Sequence, residues 1–331
     1  MMIQILYRFA AGAALAAAMI PSPVPAQSPP DKTVLISISK ASEPFFVALR
    51  RAGEDEARKL GIRVIFEDGK GDSVDQTADV ENGVDTGKVD GVLIAPNDVY
   101  ALVPAVNHVR SKGIPLITFD RQIYGASPKV PHVGVDNVAG GRLLAQWVID
   151  RFPEGARILH LTGQPGSSTA IDRAKGVRDR FAEAGDKYRI VVEVSANWSR
   201  AEALMATEGQ LTFLESPPDV IVADNDDMAM GALEAIKRVG LEKAGIKVIG
   251  YDALPFALQA VREGTLGATV DQQGGQQIRT ALKQMVEHLR NGTPLRSVTF
   301  QPILVTRDNL EAFERSSASP VPAPQPSSSA P

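Results

Sequence analysis

The stretch Val220–Asp252, VIVADNDDMAMGALEAIKRVGLEKAGIKVIGYD, contains two short apolar runs separated by one amphipathic segment. The runs Val220–Ala223 and Lys247–Gly250 are apolar on both faces, which is typical of strands buried in a parallel sheet. Between them, apolar residues recur at helical spacing, at Met228, Leu233, Ile236 and Val239. A strand, a helix and a second strand in this order predict one unit of a doubly wound α/β fold.

The same alternation continues through most of the chain. Further apolar runs of strand length are Val34–Ile38, Arg63–Phe66, Gly91–Ala95, Pro115–Phe119, His132–Val135, Arg157–Leu161, Ile190–Val194 and Gly267–Val270. The clearest helix carries an apolar stripe at Ile278, Leu282, Met285 and Leu289. About ten strands are too many for one mononucleotide-binding unit, so we predict two Rossmann-like α/β lobes. No Pro/Gly/Ser-rich linker interrupts the body, which indicates that the chain crosses between the lobes more than once.

Composition limits the class of protein. The chain has 331 residues, a formal net charge of −4, no cysteine and 23 prolines. The absence of cysteine excludes disulfides, thiol catalysis and thiolate metal sites. The histidines have no zinc-ligand spacing, so neither a metal nor a cofactor is predicted; they are His108, His132, His160 and His288. The mild acidity argues against nucleic acid as a partner, because phosphate binding needs clustered positive charge.

The two ends of the chain differ from the body. Arg8, the mostly apolar Phe9–Ile20 and the pattern Val24-x-Ala26 predict a cleaved signal peptide over residues 1–26, and hence export to the periplasm. The segment Ser316–Pro331 is uncharged and rich in Ser, Pro and Ala. Such a segment cannot bury enough apolar surface to offset its ordering entropy, so we expect a disordered tail over residues 316–331.

Polar side chains follow several of the predicted strands directly. In open α/β sheets, ligands bind beyond the carboxyl ends of the strands. The residues at or near these positions are Ser39, Asp120, Arg121, Arg173, Asn225, Asp252 and Gln272. The aromatic residues of comparable connections, Phe45, Phe46 and Trp198, can cover the C–H faces of a carbohydrate or polyol. Two Asp and two Arg side chains balance in charge, which suits an uncharged ligand.

Each of these residues also has a structural explanation. An Asp at a strand end is often a helix N-cap, as expected for Asp98. Phe45 and Phe46 could belong to the core, and Trp147, on the apolar stripe Leu143–Val148, is expected there. The joint pattern, and no single residue, favours a binding site.

Five short motifs match one known family. They are SEPFF at 42–46, ITFDRQ at 117–122, DNxxGG at 136–141, NDDMAMGA at 225–232 and GYD at 250–252. Together they resemble the ribose-type periplasmic sugar-binding proteins of bacterial ABC importers, over about residues 33–310 in unbroken order. Within that branch, VPHVG at 130–134 and QQIRTAL at 276–282 look most like myo-inositol-binding members.

The resemblance implies the periplasmic binding protein type 1 fold, with two lobes and three hinge crossings. The crossings would lie near Val135–Asp136, Gln272–Gln273 and Phe300–Gln301. The first lobe would comprise residues 32–135 and 273–300, and the second residues 136–272 and 301–315.

The resemblance also implies ligand contacts from both lobes. Those in the first lobe are Ser39, Glu43, Phe45, Phe46, Asp120 and Arg121. Those in the second lobe are Arg173, Trp198, Asn225, Asp252 and Gln272. Glu43 departs from the family pattern, since an amide is usual there in ribose binders. Its carboxylate adds a charge that the Asp/Arg balance does not cancel.

The function implied is that of a monomeric binding protein and not of an enzyme. It would close over a neutral cyclic polyol or monosaccharide, with myo-inositol favoured and ribose or another monosaccharide next. It would deliver that ligand to an inner-membrane ABC permease, and a chemoreceptor could be a further partner.

Three other classes fit the sequence less well. A sugar-responsive transcription regulator shares this core but needs a helix-turn-helix headpiece, where Met1–Lys32 instead predict a signal peptide. The loop Thr162–Ser168 lacks the glycine spacing and the lysine of a nucleotide site. Asp120 and Asp252 could form a glycosidase pair, but arginines near each would keep both ionised.

Overall fold

The computed structural model describes residues 31–318. The predicted signal peptide, residues 1–26, and residues 319–331 of the predicted tail lie outside the described residues. Within residues 31–318, no helix combines the length and apolar character needed to cross a membrane. The same range contains no group of three or more His, Asp or Glu side chains arranged to hold a metal ion.

The first lobe is built on a six-stranded parallel sheet. With all elements numbered in chain order, its strands are β1 Thr33–Ile38, β2 Arg63–Asp68, β3 Gly91–Ile94, β4 Leu116–Phe119, β5 His132–Val135 and β11 Val298–Phe300. They lie in the order β11-β5-β4-β3-β1-β2. The flanking helices are α1 Pro44–Leu60, α2 Ser73–Asp85, α3 Val103–Ser111 and α9 Gly274–Asn291.

The second lobe repeats this architecture. Its strands are β6 Ala156–Thr162, β7 Tyr188–Ser195, β8 Val220–Ala223, β9 Lys247–Tyr251, β10 Ala268–Asp271 and β12 Ile303–Thr306. They lie in the order β12-β10-β9-β8-β6-β7, and β12 alone of these runs antiparallel, against β10. The helices are α4 Asn137–Arg151, α5 Ser168–Ala184, α6 Arg200–Phe213, α7 Asp226–Arg238, α8 Pro255–Glu263 and α10 Leu310–Ala318, with a 3-10 turn at Glu242–Ala244.

The chain passes between the two sheets three times: between β5 and α4, between β10 and α9, and between β11 and β12. Two doubly wound lobes of the periplasmic binding protein type 1 fold are thereby confirmed. The helix α10 continues to Ala318, past the predicted end of the second lobe at Arg315. In its last turns, the Ser316 hydroxyl donates a hydrogen bond to the carbonyl of Phe313.

The core of the first lobe joins elements from both ends of the chain. The predicted stripe of α9 packs against α1, and Ile278, Leu282 and Met285 share one buried cluster with Phe46 and Leu49. In the second lobe, Trp147 is 4% exposed and lies in the cluster beneath α4, so its prediction as a core residue is confirmed.

The helices α4 and α5 approach each other through glycine. A Cβ atom added to Gly141 would lie well under 3.0 Å from the carbonyl oxygen of Arg173. A Cβ added to Gly176 would lie equally close to the carbonyl of Val138. Side chains larger than a hydrogen atom would therefore force the two helices apart. This contact fixes the position of Arg173 relative to Asn137 at the start of α4.

Candidate functional site

A small cavity lies between the lobes, at the carboxyl ends of both sheets. Ten residues line it: Glu43, Phe45, Asp120, Arg121, Thr169, Arg173, Trp198, Asn225, Asp252 and Gln272. Nine of them were predicted from the sequence as ligand contacts, and the structure brings these nine together. Thr169 was not predicted. It directly follows the loop Gly163–Ser168, and its position is set by the first turn of α5.

Two predicted contacts, Ser39 and Phe46, are not among the residues that line the cavity. Ser39 is fully buried at the end of β1, and its hydroxyl has no hydrogen-bond partner among the described residues. Phe46 belongs to the core of the first lobe. The guanidinium carbon of Arg121 lies 5.4 Å from the centroid of the Phe46 ring, so Phe46 supports Arg121 from behind.

Arg173 is the centre of the second-lobe half of the site. The residue is 2% exposed, and its side chain donates three hydrogen bonds. Nε donates to Oδ1 of Asn137 at 2.8 Å, and Nη1 donates to the backbone carbonyl of Asp224 at 2.6 Å. Nη2 donates to Oε1 of Gln272 at 3.2 Å. These three partners leave the guanidinium with a single orientation.

The other side chains of this half are ordered around Arg173. Asp252 Oδ1 lies 3.9 Å from its Nη1 and accepts a 2.6 Å hydrogen bond from Nε2 of Gln272. The guanidinium carbon lies 3.6 Å from the ring centroid of Tyr251 and 5.4 Å from that of Trp198. The result is a carboxylate, a cation and an aromatic face, all rigidly held.

In the first-lobe half, Arg121 is 3% exposed and lies between two acids. Its Nη2 is 3.4 Å from Oε2 of Glu43, and its Nε is 3.7 Å from Oδ2 of Asp120. The guanidinium also faces Trp198 of the other lobe at 5.7 Å. Nε of Arg121 and Nε1 of Trp198 are buried donors with no hydrogen-bond partner among the described residues. Both donors suit a ligand rich in hydroxyl oxygens.

The backbone is strained at this cavity. Seven described non-glycine residues have positive φ, and three of them line the cavity: Asp120 at 57°, Trp198 at 63° and Asp252 at 116°. Left-handed conformations at such residues cost of order 1–3 kcal/mol each and concentrate at functional sites. This clustering therefore supports assigning a function to the cavity.

Burial governs the electrostatics of the three acids. It raises the pKa of Asp120 and of Asp252, although Arg121 and Arg173 act in the opposite direction. Burial also raises the pKa of Glu43 to about 7, against the effect of Arg121. A raised pKa favours the protonated carboxyl, which can both accept from and donate to hydroxyl groups, and this fits a neutral, polyhydroxylated ligand.

We expect the variant Glu43→Gln to be more stable than the wild type at neutral pH and equally stable in acid. Below the ordinary value of 4.5, Glu43 is protonated in both the folded and unfolded states. Between pH 4.5 and about 7, the unfolded wild type loses this proton while the folded protein keeps it, so the stability of the wild type falls relative to the variant and the difference is complete above about pH 7. Denaturant titrations across this range measure the difference. The exposed Glu215→Gln is the control, and a pH-independent difference for Glu43→Gln would contradict the prediction.

Sequence reasoning missed the residues that hold Asp252 in place. Asp226 is fully buried and accepts hydrogen bonds from the Leu254 amide at 2.8 Å and from the Thr269 hydroxyl at 2.7 Å. The Thr269 hydroxyl also accepts from the amide of Ala253 at 3.1 Å. The motif NDDMAMGA included Asp226, but its partners follow β9 and lie in β10, so only the fold reveals them.

The lobes also touch each other directly. Arg121 Nη1 lies 3.4 Å from Oε1 of Gln164 across the cleft. Three more hydrogen bonds cross it, from Gln164 Nε2 to Asn97 Oδ1 (2.9 Å), from the Val99 amide to the Gly166 carbonyl (3.0 Å) and from the Gln122 amide to the Ser168 hydroxyl (2.8 Å). The loop Thr162–Ser168, rejected above as a nucleotide site, is therefore the part of the second lobe that closes on the first.

A larger groove of about 1000 Å³ lies elsewhere, at the amino-terminal edge of the second sheet. Residues around it include Trp147, Phe152, Lys247 and Arg307. It is open to solvent and lies away from the strand ends where ligands bind in this class of fold. The interlobe cavity, with its buried charges and strained backbone, is the candidate site.

Comparison with known proteins agrees with this geometry. A family model described as the periplasmic binding protein domain matches residues 34–293. The chain is similar to the ribose import binding protein RbsB of Bacillus subtilis, at 37% identity over 243 residues, which are 73% of this chain and 76% of that protein.

Two solved structures are also similar. One is the Caulobacter myo-inositol binding protein bound to myo-inositol, with 45% identity and a TM-score of 0.84, over 90% of this chain and 100% of that one. The other is an ABC transporter solute binding protein from Bacillus halodurans with bound myo-inositol, with 31% identity and a TM-score of 0.80, over 87% and 99% of the two chains.

Proposed function

The chain belongs to the periplasmic binding protein family, as a sugar-binding member with the type 1 fold, and on that premise we propose that it binds myo-inositol between its lobes. Proteins of this family bind small sugars, work with ABC permeases and are not enzymes. The chain would act in the periplasm and deliver the polyol to an inner-membrane permease. Ribose or another monosaccharide is the next candidate ligand.

The observation that carries this proposal is the paired Asp–Arg arrangement on the two sides of one closed cleft. Asp120 with Arg121 and Asp252 with Arg173 supply acceptors and forked donors from opposite lobes. Such groups suit vicinal hydroxyls, each of which donates one hydrogen bond and accepts others. Phe45 and Trp198 line the same cavity and offer faces for the ring C–H groups.

Glu43 favours a cyclic polyol over a pentose. Its carboxyl can accept a hydrogen bond in either protonation state, so it suits a ligand that presents a hydroxyl donor at that edge of the cleft. Every ring carbon of myo-inositol carries a hydroxyl group, whereas the ring of a pyranose contains one ether oxygen that cannot donate. The solved relatives with bound myo-inositol, at 45% and 31% identity, support the same choice.

Binding would work through closure of the lobes. A ligand that touches Asp120 and Arg173 together can do so only when the cleft is closed, so binding shifts the population toward the closed form. The direct hydrogen bonds between Gln164 and Asn97 and between Val99 and Gly166 also stabilise the closed form.

Calorimetric titration with myo-inositol, ribose and a hexose tests the proposal. We expect saturable binding of one ligand per chain, tightest for myo-inositol. Asp120→Ala should weaken this binding by at least about tenfold, the equivalent of one lost hydrogen bond to a charged group. The matched control is Asp72→Asn at the exposed N-cap of α2, where the asparagine can still accept from the amides of Val74 and Asp75.

Two results would overturn the proposal separately. If the wild type binds no neutral sugar or polyol, the ligand class is wrong. If it binds one but Asp120→Ala binds equally well, the cavity assignment is wrong.

A further inference from the structure

His160 lies in the middle of β6, is fully buried and is hydrogen-bonded at both ring nitrogens. Nδ1 lies 3.0 Å from Oε2 of Glu193, and Nε2 lies 2.9 Å from Oδ1 of Asp224. A neutral imidazole carries one N–H and can donate to only one of these carboxylates. Two carboxylate partners therefore require the doubly protonated ring.

Asp224 connects this histidine to the candidate site. Its backbone carbonyl accepts the 2.6 Å hydrogen bond from Arg173, and its Oδ2 lies 3.4 Å from the amide nitrogen of Gly163. Gly163 packs directly on the ring of Trp198, where an added Cβ would lie well under 3.0 Å from the ring atoms. Through Asp224, His160 lies behind both Arg173 and Trp198, although it does not line the cavity.

We propose that His160 is a positioning residue for ligand binding: it fixes Asp224, which in turn fixes Arg173 and the Gly163 turn beneath Trp198. The inference rests on the proposed function, because its main readout is polyol affinity. It assigns a role in binding to a residue that makes no contact with the ligand.

Four charged groups surround this ring. Glu193 on β7 and Asp224 after β8 face its nitrogens, Arg178 on α5 lies 2.6 Å from Oε1 of Glu193, and Arg173 holds the Asp224 carbonyl. Burial alone would lower the pKa of His160, but the two carboxylates raise it to about 9. The stabilisation that the charged ring provides is therefore complete below pH 6.5, the ordinary pKa of histidine. It is lost as the pH rises through about 9.

The test compares His160→Gln and Glu193→Gln with the wild type in calorimetric titrations with myo-inositol, from about pH 6 to about pH 10. His160→Gln should bind about tenfold more weakly at neutral pH, the loss expected for one charged hydrogen bond. At about pH 6, Glu193→Gln should bind as tightly as the wild type. As the pH rises, the variant should lose affinity before the wild type does, because only one carboxylate then holds the ring charged.

The matched control is His132→Gln in the other lobe. His132 is also buried, at 8% exposed, with its Nδ1 3.1 Å from the Thr118 hydroxyl, and it lies outside the site. This variant should lose stability but keep its affinity. Equal affinity of His160→Gln and the wild type would overturn the proposal. If His160→Gln does not fold, a Glu193→Gln profile identical to that of the wild type would overturn it instead.

A separate measurement distinguishes this inference from the proposed function. If the wild type binds no polyol, the proposed function fails, and nuclear magnetic resonance of the His160 ring still tests the positioning role. We expect protons on both ring nitrogens at neutral pH, with the fluorescence of Trp198 changing at the same pH as the ring. A singly protonated ring at neutral pH, or Trp198 fluorescence that does not follow the ring, would overturn it.

Discussion

Arg173→Ala should abolish polyol binding and lower the free energy of unfolding by about 3–5 kcal/mol, as expected when one partner of a buried ion pair is removed. The change deletes hydrogen bonds to Asn137, Asp224 and Gln272. It also leaves Asp252, 3% exposed, without the cation that lowers its pKa. The loss of stability should therefore be smaller in acid, where Asp252 is protonated, than at neutral pH.

Denaturant titrations at acidic and neutral pH, together with calorimetry, measure both effects. The control is Arg180→Ala on the same helix, because Arg180 is partly exposed and hydrogen-bonded to Gln146 at 2.8 Å. That variant should bind the polyol normally, and its free energy of unfolding should fall by less than about 1 kcal/mol. Arg173→Lys keeps the charge but not the forked donors, and should still bind poorly. Normal binding by Arg173→Ala would refute the site.

Gly141→Ala should lower the free energy of unfolding by about 1–3 kcal/mol, the usual cost of overpacking, and should also weaken polyol binding. The new methyl group would meet backbone atoms of Arg173 and Val177, which cannot rotate away. The helices α4 and α5 must then separate. Since Asn137 on α4 accepts from Arg173 on α5, the separation would disturb the guanidinium as well.

The matched control for this change is Gly209→Ala on α6. No atom lies within 4 Å of the Cβ that would be added there. The alanine should therefore stabilise the protein by about 0.5–1 kcal/mol through its better helix propensity. Thermal unfolding and calorimetry of both variants provide the comparison. A Gly141→Ala protein as stable and as active in binding as the wild type would show that this close approach does not position Arg173.

Much of the site was predictable because its residues directly follow strands. Asp120 and Asp252 were found in this way, and both line the cavity. Ser39 follows β1 in the same manner, yet it is not among the residues that line the cavity. Backbone conformation differs among these strand-end residues: Asp120 and Asp252 have positive φ, whereas Asn225, which also lines the cavity, has a φ of −148°. Sequence position identifies a strand end, but it does not determine the backbone rotation that aims the side chain.

The supporting residues were not predictable from the chain alone. His160 and Asp226 look like ordinary members of a strand and a helix, and their roles depend on partners from other strands. The strands Val298–Phe300 and Ile303–Thr306 were missed for a different reason. They lie at the edges of their sheets, and each has a single buried residue, Phe300 in the first and Val305 in the second.

The three crossings between the lobes also constrain how the protein folds. The first lobe needs α9 and β11, and the second needs β12, yet all three elements follow Gln272 in the chain. Ile278 must join Phe46 in one core across more than 200 residues of sequence. A nascent chain that ends at Gln272 therefore contains most of both sheets but can complete neither lobe. Neither lobe can be completed until the segment after Gln272 has been synthesised, and contacts over such long sequence separations slow folding.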